Sequence, residues 1–227
     1  TLHLLMAEHK TNCFKCIKNG ACELQAMARE YGIDVPNFKS SHGDVQHEPF
    51  DAHPFLSYDP GLCIQCQRCI STCAKATGRH ALSLERNGAR VYVKVPFGEG
   101  WENSLCESCG NCAQACPTGA LTIKRRKDYR EWEVKKVRTT CPHCATGCQM
   151  DLYVKDGKIV DVQGADGPSN HKLLCVKGRS GSFDFVDCDA RIRYPLIKNK
   201  ETGEFERATW DEALNLVASK FSEIRNQ

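Results

Sequence analysis

The sequence predicts an α+β chain built from several small metal-organised modules, and three observations predict it. Sixteen cysteines fall in 227 residues, nearly all in short runs with two to five residues between neighbours. Two of these runs are an internal repeat with a period of 43 residues. Helical patterns alternate with strand and hairpin patterns along the chain. Nine prolines and an aromatic content of only 8% suggest several small cores, so bound groups must help to hold the chain together. Clustered cysteines without a preceding apolar signal segment point to a reducing, cytoplasmic setting instead of a secreted disulfide framework. No stretch approaches a membrane span, and Arg125-Arg126 is too internal for a twin-arginine export signal. A net charge of +3 does not imply a nucleic-acid partner. The chain opens on Thr1 without methionine and closes inside a helical pattern, so it reads as a fragment of a longer subunit.

Residues 1–40 form the first module. An apolar run, Leu2 to Ala7, leads into His9, Cys13, Cys16 and Cys22, an H-x3-C-x2-C-x5-C set with Gly20 giving the turn that brings Cys22 round. Imidazole and thiolates together suit zinc or an iron-sulfur cluster equally, and His9 can also be read as a solvated helix residue. The cysteine runs further on tip the balance to iron. The stretch resembles the one-histidine, three-cysteine [4Fe-4S] module of the large iron-sulfur subunit of respiratory NADH dehydrogenase, found also in iron-only hydrogenases and NAD-linked formate dehydrogenases. That resemblance implies a [2Fe-2S] domain upstream of Thr1. Glu23 to Tyr31 is helical in pattern, with Gly32 as its stop.

Residues 41–56 read as a connector without periodicity. His42, His47 and His53 read there as polar loop residues, because no cysteine lies near them at metal spacing. Residues 57–136 hold CIQCQRCISTCAKA and CESCGNCAQACPTGA, two C-x2-C-x2-C-x3-C runs. Three thiolates on one loop and a fourth a helical turn further on suit a cubane cluster better than zinc, which usually takes its cysteines in pairs. In two-cluster ferredoxins the fourth cysteine of each run crosses to the other cluster. One [4Fe-4S] set is therefore Cys63, Cys66, Cys69 and Cys116, and the other Cys106, Cys109, Cys112 and Cys73. Ile64, Ile70, Ala113, Leu121 and Ile123 are the expected apolar wrapping, and Asn87-Gly88 is the expected turn of a hairpin. Ala74 stands where Pro117 stands in the second half, a departure common in ferredoxin-like domains of the hydrogenase and formate dehydrogenase type. The mixed charges from Lys124 to Arg138 read as a solvated linker or surface strand.

Residues 137–195 carry CPHCATGCQM and then LCVKGR. Cys141, Cys144, Cys148 and Cys175 again offer four thiolates, separated by a hairpin pattern turning at Asp156-Gly157. Only a folded small sheet could bring Cys175 back to the other three. This region resembles the N-terminal [4Fe-4S] domain of molybdenum or tungsten bis-pterin oxidoreductases, formate dehydrogenase above all. The resemblance implies a small β-rich cluster domain opening a bis-pterin fold and a bis-pterin guanine dinucleotide bound mostly beyond this segment. It also implies a role for Lys177 in passing electrons between cluster and pterin; alone, Lys177 also reads as an exposed lysine. In residues 196–227, Thr209-Trp-Asp-Glu212 is a capping box, followed by Ala213, Leu214, Val217, Ala218, Phe221 and Ile224 on one face, the start of the catalytic domain on the same resemblance.

Four cubanes need sixteen ligands, which fifteen cysteines and His9 supply, leaving Cys188 over. Nothing pairs a nucleophile with a base or forms a phosphate loop. The resemblances imply electron conduction within a formate dehydrogenase or CO2 reductase, with flavin and NAD(P)-binding subunits or hydrogenase iron-sulfur subunits as partners. The alternatives are an iron-sulfur subunit of a hydrogenase or NADH dehydrogenase complex, or a non-catalytic electron-transfer scaffold. The full pair of ferredoxin runs counts against NADH dehydrogenase.

Overall fold

Helix α1 (Leu2–Glu8) is the N-terminal apolar run, and irregular turns lead from it to helix α2 (Glu23–Glu30). Gly32 stops α2 as expected: it takes φ +65°, and the amides of Gly32 and Ile33 donate to the carbonyls of Arg29 and Ala28 at 3.2 and 2.8 Å. The computed structural model describes every residue except 11, 39–52, 88–89, 96–99, 125–128, 182 and 227. His42 and His47 therefore lie outside the described residues.

The ferredoxin-like region is closed by its two ends. Strand β1 (Leu56–Tyr58) pairs antiparallel with strand β4 (Leu121–Ile123), and the alternation of the strands buries Leu56, Tyr58, Leu121 and Ile123. Between them run helix α3 (Arg68–Ser71), continued by a π turn over Thr72–Ala76, strands β2 (Ser83–Asn87) and β3 (Arg90–Lys94), and helix α4 (Asn111–Ala115). Strands β2 and β3 form the expected hairpin. Asn87 pairs with Arg90 as part of the ladder, and Gly88 is outside the described residues. Leu82, Val93, Trp101 and Ala113 complete the core, each large apolar side chain contributing about 1.5–3 kcal/mol. Ile64 and Ile70 are only half-buried, at its rim.

Residues 135–138 of the mixed-charge stretch are the expected exposed strand, but the part just before them is less solvated than its composition suggests. Tyr129 is 2% exposed, and its hydroxyl donates to buried Asp161 at 2.8 Å. The Arg130 guanidinium donates to the carbonyls of Cys16 and Phe14 at 2.6 and 2.8 Å. An arginine that ties down a loop through backbone carbonyls leaves no periodicity to read.

Strands β5 (Lys135–Thr140), β6 (Gln149–Lys155) and β7 (Lys158–Gly164) make an antiparallel sheet in the order β5-β6-β7. The β6–β7 turn falls on Asp156-Gly157, both left-handed at φ +49° and +74°, as a tight hairpin requires. Met150, Val162, Ala165 and Leu174 are buried in this module, and helix α5 (Val176–Ser180) follows.

Residues Phe183–Gln227 form a separate unit from Thr1–Ser182. In it strands β8 (Leu196–Lys198) and β9 (Phe205–Arg207) pair, and helix α6 (Trp210–Arg225) begins at the expected capping box, Glu212 N–H donating to Thr209 Oγ1 at 3.2 Å and Thr209 N–H to the Glu212 carboxylate at 2.7 Å. Its apolar stripe of Leu214, Val217, Phe221 and Ile224 stands exposed. Among the described residues no helix is long and apolar enough to cross a membrane.

Candidate metal centres

The two ferredoxin runs fold alike. Gln65 and Ser108, one repeat apart, take φ +54° and +57°, and Gln67 and Gly110 take +60° and +71°. Left-handed backbone costs an L residue about 1–2 kcal/mol, and three of these four positions are not glycine. The turns direct amides at sulfur: Gln65 N–H donates to Cys63 Sγ and Ser108 N–H to Cys106 Sγ, each at 3.4 Å.

The crossing of the fourth cysteines is visible in the electrostatics. Burial pushes Cys69 up to about 12, and the neighbouring thiols Cys116, Cys63 and Cys66 add to it. Cys112 is raised by burial and then by its neighbours Cys109, Cys69, Cys106 and Cys73. Cys63, Cys66, Cys69 and Cys116 line one cavity with Tyr58 and Leu121; Cys73, Cys106, Cys109 and Cys112 line another with Leu56 and Trp101. Thiols buried this deeply do not ionise alone at neutral pH, and a bound cation supplies the charge that makes them thiolates. Zinc holds its sulfurs at about 2.3 Å from one centre, whereas a cubane spreads four thiolates over four irons. Four thiols lining one cavity fit the second arrangement.

In the first module Cys22 is raised by burial, with Cys16 and Cys13 as neighbouring thiols. Gly20 has φ +85°, a backbone angle that favours glycine, and a Cβ there would press on the Trp132 ring at 3.0 Å. His9 ends α1 beside Leu62 and Asp59; burial lowers its pKa against the pull of Asp59, which keeps the imidazole in its neutral, ligating form. Its Nδ1 is buried and lacks a hydrogen-bond partner among the described residues, the state of a group that a metal or its surroundings would satisfy.

The sheet organises the last set. Cys141 leaves β5 and Cys148 enters β6, joined by Cys141 N–H donating to the Cys148 carbonyl at 2.8 Å, and Gly147 turns the loop at φ +62°. Cys175 caps α5. Cys148 is raised by burial and then by Cys141, Cys144 and Cys175, so all four thiols are neighbours. Asn170, 6% exposed, brings Cys175 back: its amide NH2 donates to the carbonyls of Gln149, Ala165 and Leu173 at 2.9, 3.1 and 2.9 Å, and its oxygen accepts from Gln149 N–H at 2.9 Å. Cys144 is held below the usual thiol range, chiefly by Thr146 and less by the Lys177 ammonium. Lys177 is exposed on α5 and close enough to Cys144 to act on its charge.

Hydrogen bonds beside the ligands join neighbouring sets. Glu23 N–H, next to Cys22, donates to the carbonyl of Pro117, next to Cys116, at 3.1 Å. Asn111, next to Cys112, exchanges two 3.0 Å hydrogen bonds with the backbone of Leu174, next to Cys175. Arg179, 4% exposed, spans the same junction, donating to Cys109 O, Asn111 Oδ1, Gln114 Oε1 and Gln163 Oε1 at 2.8, 2.9, 2.7 and 3.3 Å. Burial lowers its pKa to about 10, leaving it charged at neutral pH.

His53 is not a solvated loop residue. It is 2% exposed, and its Nε2 stands 3.5 Å from Cys106 Sγ, a long-range approach that residue spacing could not reveal. Cys188 is an exposed thiol outside the four sets.

Family models match the chain almost end to end. Residues 1–36 match the NADH-ubiquinone oxidoreductase-G iron-sulfur binding region, and 54–122 the ferredoxin-like domain of NADH-quinone oxidoreductase subunit 3. Residues 134–184 match the molybdopterin oxidoreductase Fe4S4 domain, and 191–227 molybdopterin oxidoreductase. The middle of the chain, set against NADH dehydrogenase on its cysteine runs, thus matches a domain of that complex. The second G-type subunit of NADH-quinone oxidoreductase from Rhizobium meliloti (strain 1021) is 35% identical, over 93% of this chain and 24% of that protein. A protein of Staphylococcus haemolyticus (strain JCSC1435) that carries a provisional formate dehydrogenase name is 28% identical over 100% of this chain and 26% of its own length. An NAD+-reducing [NiFe]-hydrogenase in its H2-reduced state aligns with a TM-score of 0.46 and 30% identity, over 54% of this chain and 52% of that one. The chain spans about a quarter of the length of the curated relatives it matches. Its successive segments match these families, and together they make the iron-sulfur electron-transfer region of a molybdopterin oxidoreductase.

Proposed function

We propose that this region serves a formate dehydrogenase or CO2 reductase, holding four [4Fe-4S] clusters in a row. The ligand sets are His9, Cys13, Cys16 and Cys22; Cys63, Cys66, Cys69 and Cys116; Cys73, Cys106, Cys109 and Cys112; and Cys141, Cys144, Cys148 and Cys175. Such clusters supply one-electron carriage, and a molybdenum or tungsten bis-pterin guanine dinucleotide supplies the two-electron chemistry at carbon. The protein's part is to bury the thiolates, to aim amides at sulfur and to hold the sets in contact order. The observation that carries the reading is this order: ligand-adjacent residues of the first and second sets, and of the third and fourth, are directly hydrogen-bonded, while Cys69 and Cys112 adjoin in the middle. Lys177, near Cys144 on the outer side of the last set, would lie toward the pterin. The modules run 1–40, 57–136 and 137–195, after which the catalytic domain begins at 196 and the exposed stripe of α6 packs on it.

The partners are subunits that bind flavin and NAD(P), or a hydrogenase, reached through the His9 set and a [2Fe-2S] domain preceding it. The relative named for NADH-quinone oxidoreductase supports such an assembly. The compartment is cytoplasmic, in keeping with sixteen cysteines free of disulfides. A second reading, an iron-sulfur subunit of an NADH-oxidising complex, is favoured by the 35% identity to the Rhizobium meliloti NADH-quinone oxidoreductase protein. Anaerobic addition of formate to the holoprotein separates them: the proposal expects cluster reduction, seen as paramagnetic signals, and formate-dependent NAD(P) or dye reduction. Reduction by NADH with no response to formate would favour the second reading.

A further inference from the structure

The two halves of the ferredoxin repeat give their first cysteine the same backbone hydrogen bond, at 3.4 Å in both. They differ in the side chain that meets the same sulfur. Tyr58 lines the same cavity as Cys63, its hydroxyl acting on that thiol, and His53 Nε2 lies 3.5 Å from Cys106 Sγ. Both donors come from the segment around β1, and both are buried, at 4% and 2% exposure.

The backbone fixes which way each hydrogen bond runs. Phe55 N–H and Leu56 N–H both donate to His53 Nδ1 at 3.0 Å. That nitrogen therefore carries no proton, and the neutral ring must carry it on Nε2, aimed at Cys106. Trp101 meets the imidazole edge to face at 4.6 Å and fixes its plane. The Tyr58 oxygen accepts from Val93 N–H at 3.2 Å, leaving its own proton for Cys63. Two hydroxyls near other ferredoxin sulfurs spend their protons elsewhere. Thr118 donates to Leu62 O at 2.7 Å while 3.6 Å from Cys116 Sγ, and Thr77 donates to Cys73 O at 2.7 Å while 4.0 Å from Cys73 Sγ.

We propose that Tyr58 and His53 are paired potential-setting residues, one for each half of the repeat, each delivering a backbone-locked donor proton to the first thiolate of its own cluster. A donor to a ligand sulfur favours the more negative, reduced state, so each raises the potential of the cluster it serves. A phenol on one side and an imidazole on the other distinguish two first cysteines that share the same backbone donor. The proposal rests on the two crossed ferredoxin sets holding cubanes.

The test is a redox titration of holoprotein followed by electron paramagnetic resonance, on wild type, Tyr58→Phe and His53→Phe. Tyr58→Phe removes one oxygen and is expected to lower the midpoint of one ferredoxin cluster only; His53→Phe is expected to lower that of the other only. Unmoved midpoints at wild-type iron and sulfide content overturn the proposal while leaving the clusters in place. Wild-type iron and sulfide far below four cubanes would instead overturn the reading beneath it. Should His53→Phe lose its cluster, unmodified holoprotein labelled with 15N-histidine gives the answer. The proposal expects a weak histidine nitrogen coupling on a ferredoxin-cluster signal, besides any from the His9 set, and its absence rejects the role of His53.

Discussion

The ferredoxin repeat and the sheet module reach the same end, four neighbouring thiols, by opposite means. In the repeat, left-handed residues on short loops aim amides at sulfur locally, and burial in a shared core does the rest. In the sheet module, Cys175 is separated from Cys148 by 26 residues, and one buried side chain, Asn170, returns it. The repeat therefore spreads its organisation over many modest terms, whereas the sheet module concentrates it in a few contacts.

The sharpest way to break that contrast is Gly164→Ala. A Cβ there would stand 2.0 Å from the Lys172 carbonyl oxygen, a backbone atom that cannot swing aside. The expected cost is about 3 kcal/mol or more, read as a fall in thermal midpoint, with loss of about a quarter of the iron. Asn170→Ala should follow closely: Gln149 N–H and the Leu173 carbonyl lose their partner, at about 1–3 kcal/mol for each one that stays buried and unsatisfied, while the Gln149 and Ala165 carbonyls keep the amides of Ala165 and Lys172, and the same quarter of the iron is lost.

Arg179→Met strikes the junction between the two regions. Removing a buried charge that four acceptors share should cost about 3 kcal/mol and slow electron exchange between the last two sets, measured by rapid-freeze paramagnetic resonance, with iron content unchanged. In the repeat the effect should be small and of opposite sign: Gln67→Gly relieves a left-handed residue and is expected to stabilise by about 0.5–1 kcal/mol, with cluster content untouched. Were Gln67→Gly as damaging as Gly164→Ala, the contrast would fail.

Much of this was legible because cubane ligation imposes spacing. The C-x2-C-x2-C-x3-C runs, Gly20, Gly32, the Asp156-Gly157 turn and the Thr209 to Glu212 capping box each report a local geometric demand, and the folded chain gives the three turns their left-handed residues and the helix its cap. What spacing cannot carry is approach over long sequence separation. His53 reaches Cys106 across 53 positions, and Arg130 reaches Cys16 across 114, with no pattern near either to mark them. Tyr129 was hidden in the same way, by a charged neighbourhood that masks a single buried hydroxyl.

The central claim is that one imidazole and fifteen thiols hold a row of four cubanes, and metal counting tests it most directly. Iron and acid-labile sulfide in anaerobically prepared holoprotein should come to about sixteen of each for the sites in this chain. A value near eight of each, or zinc in place of iron, would contradict it.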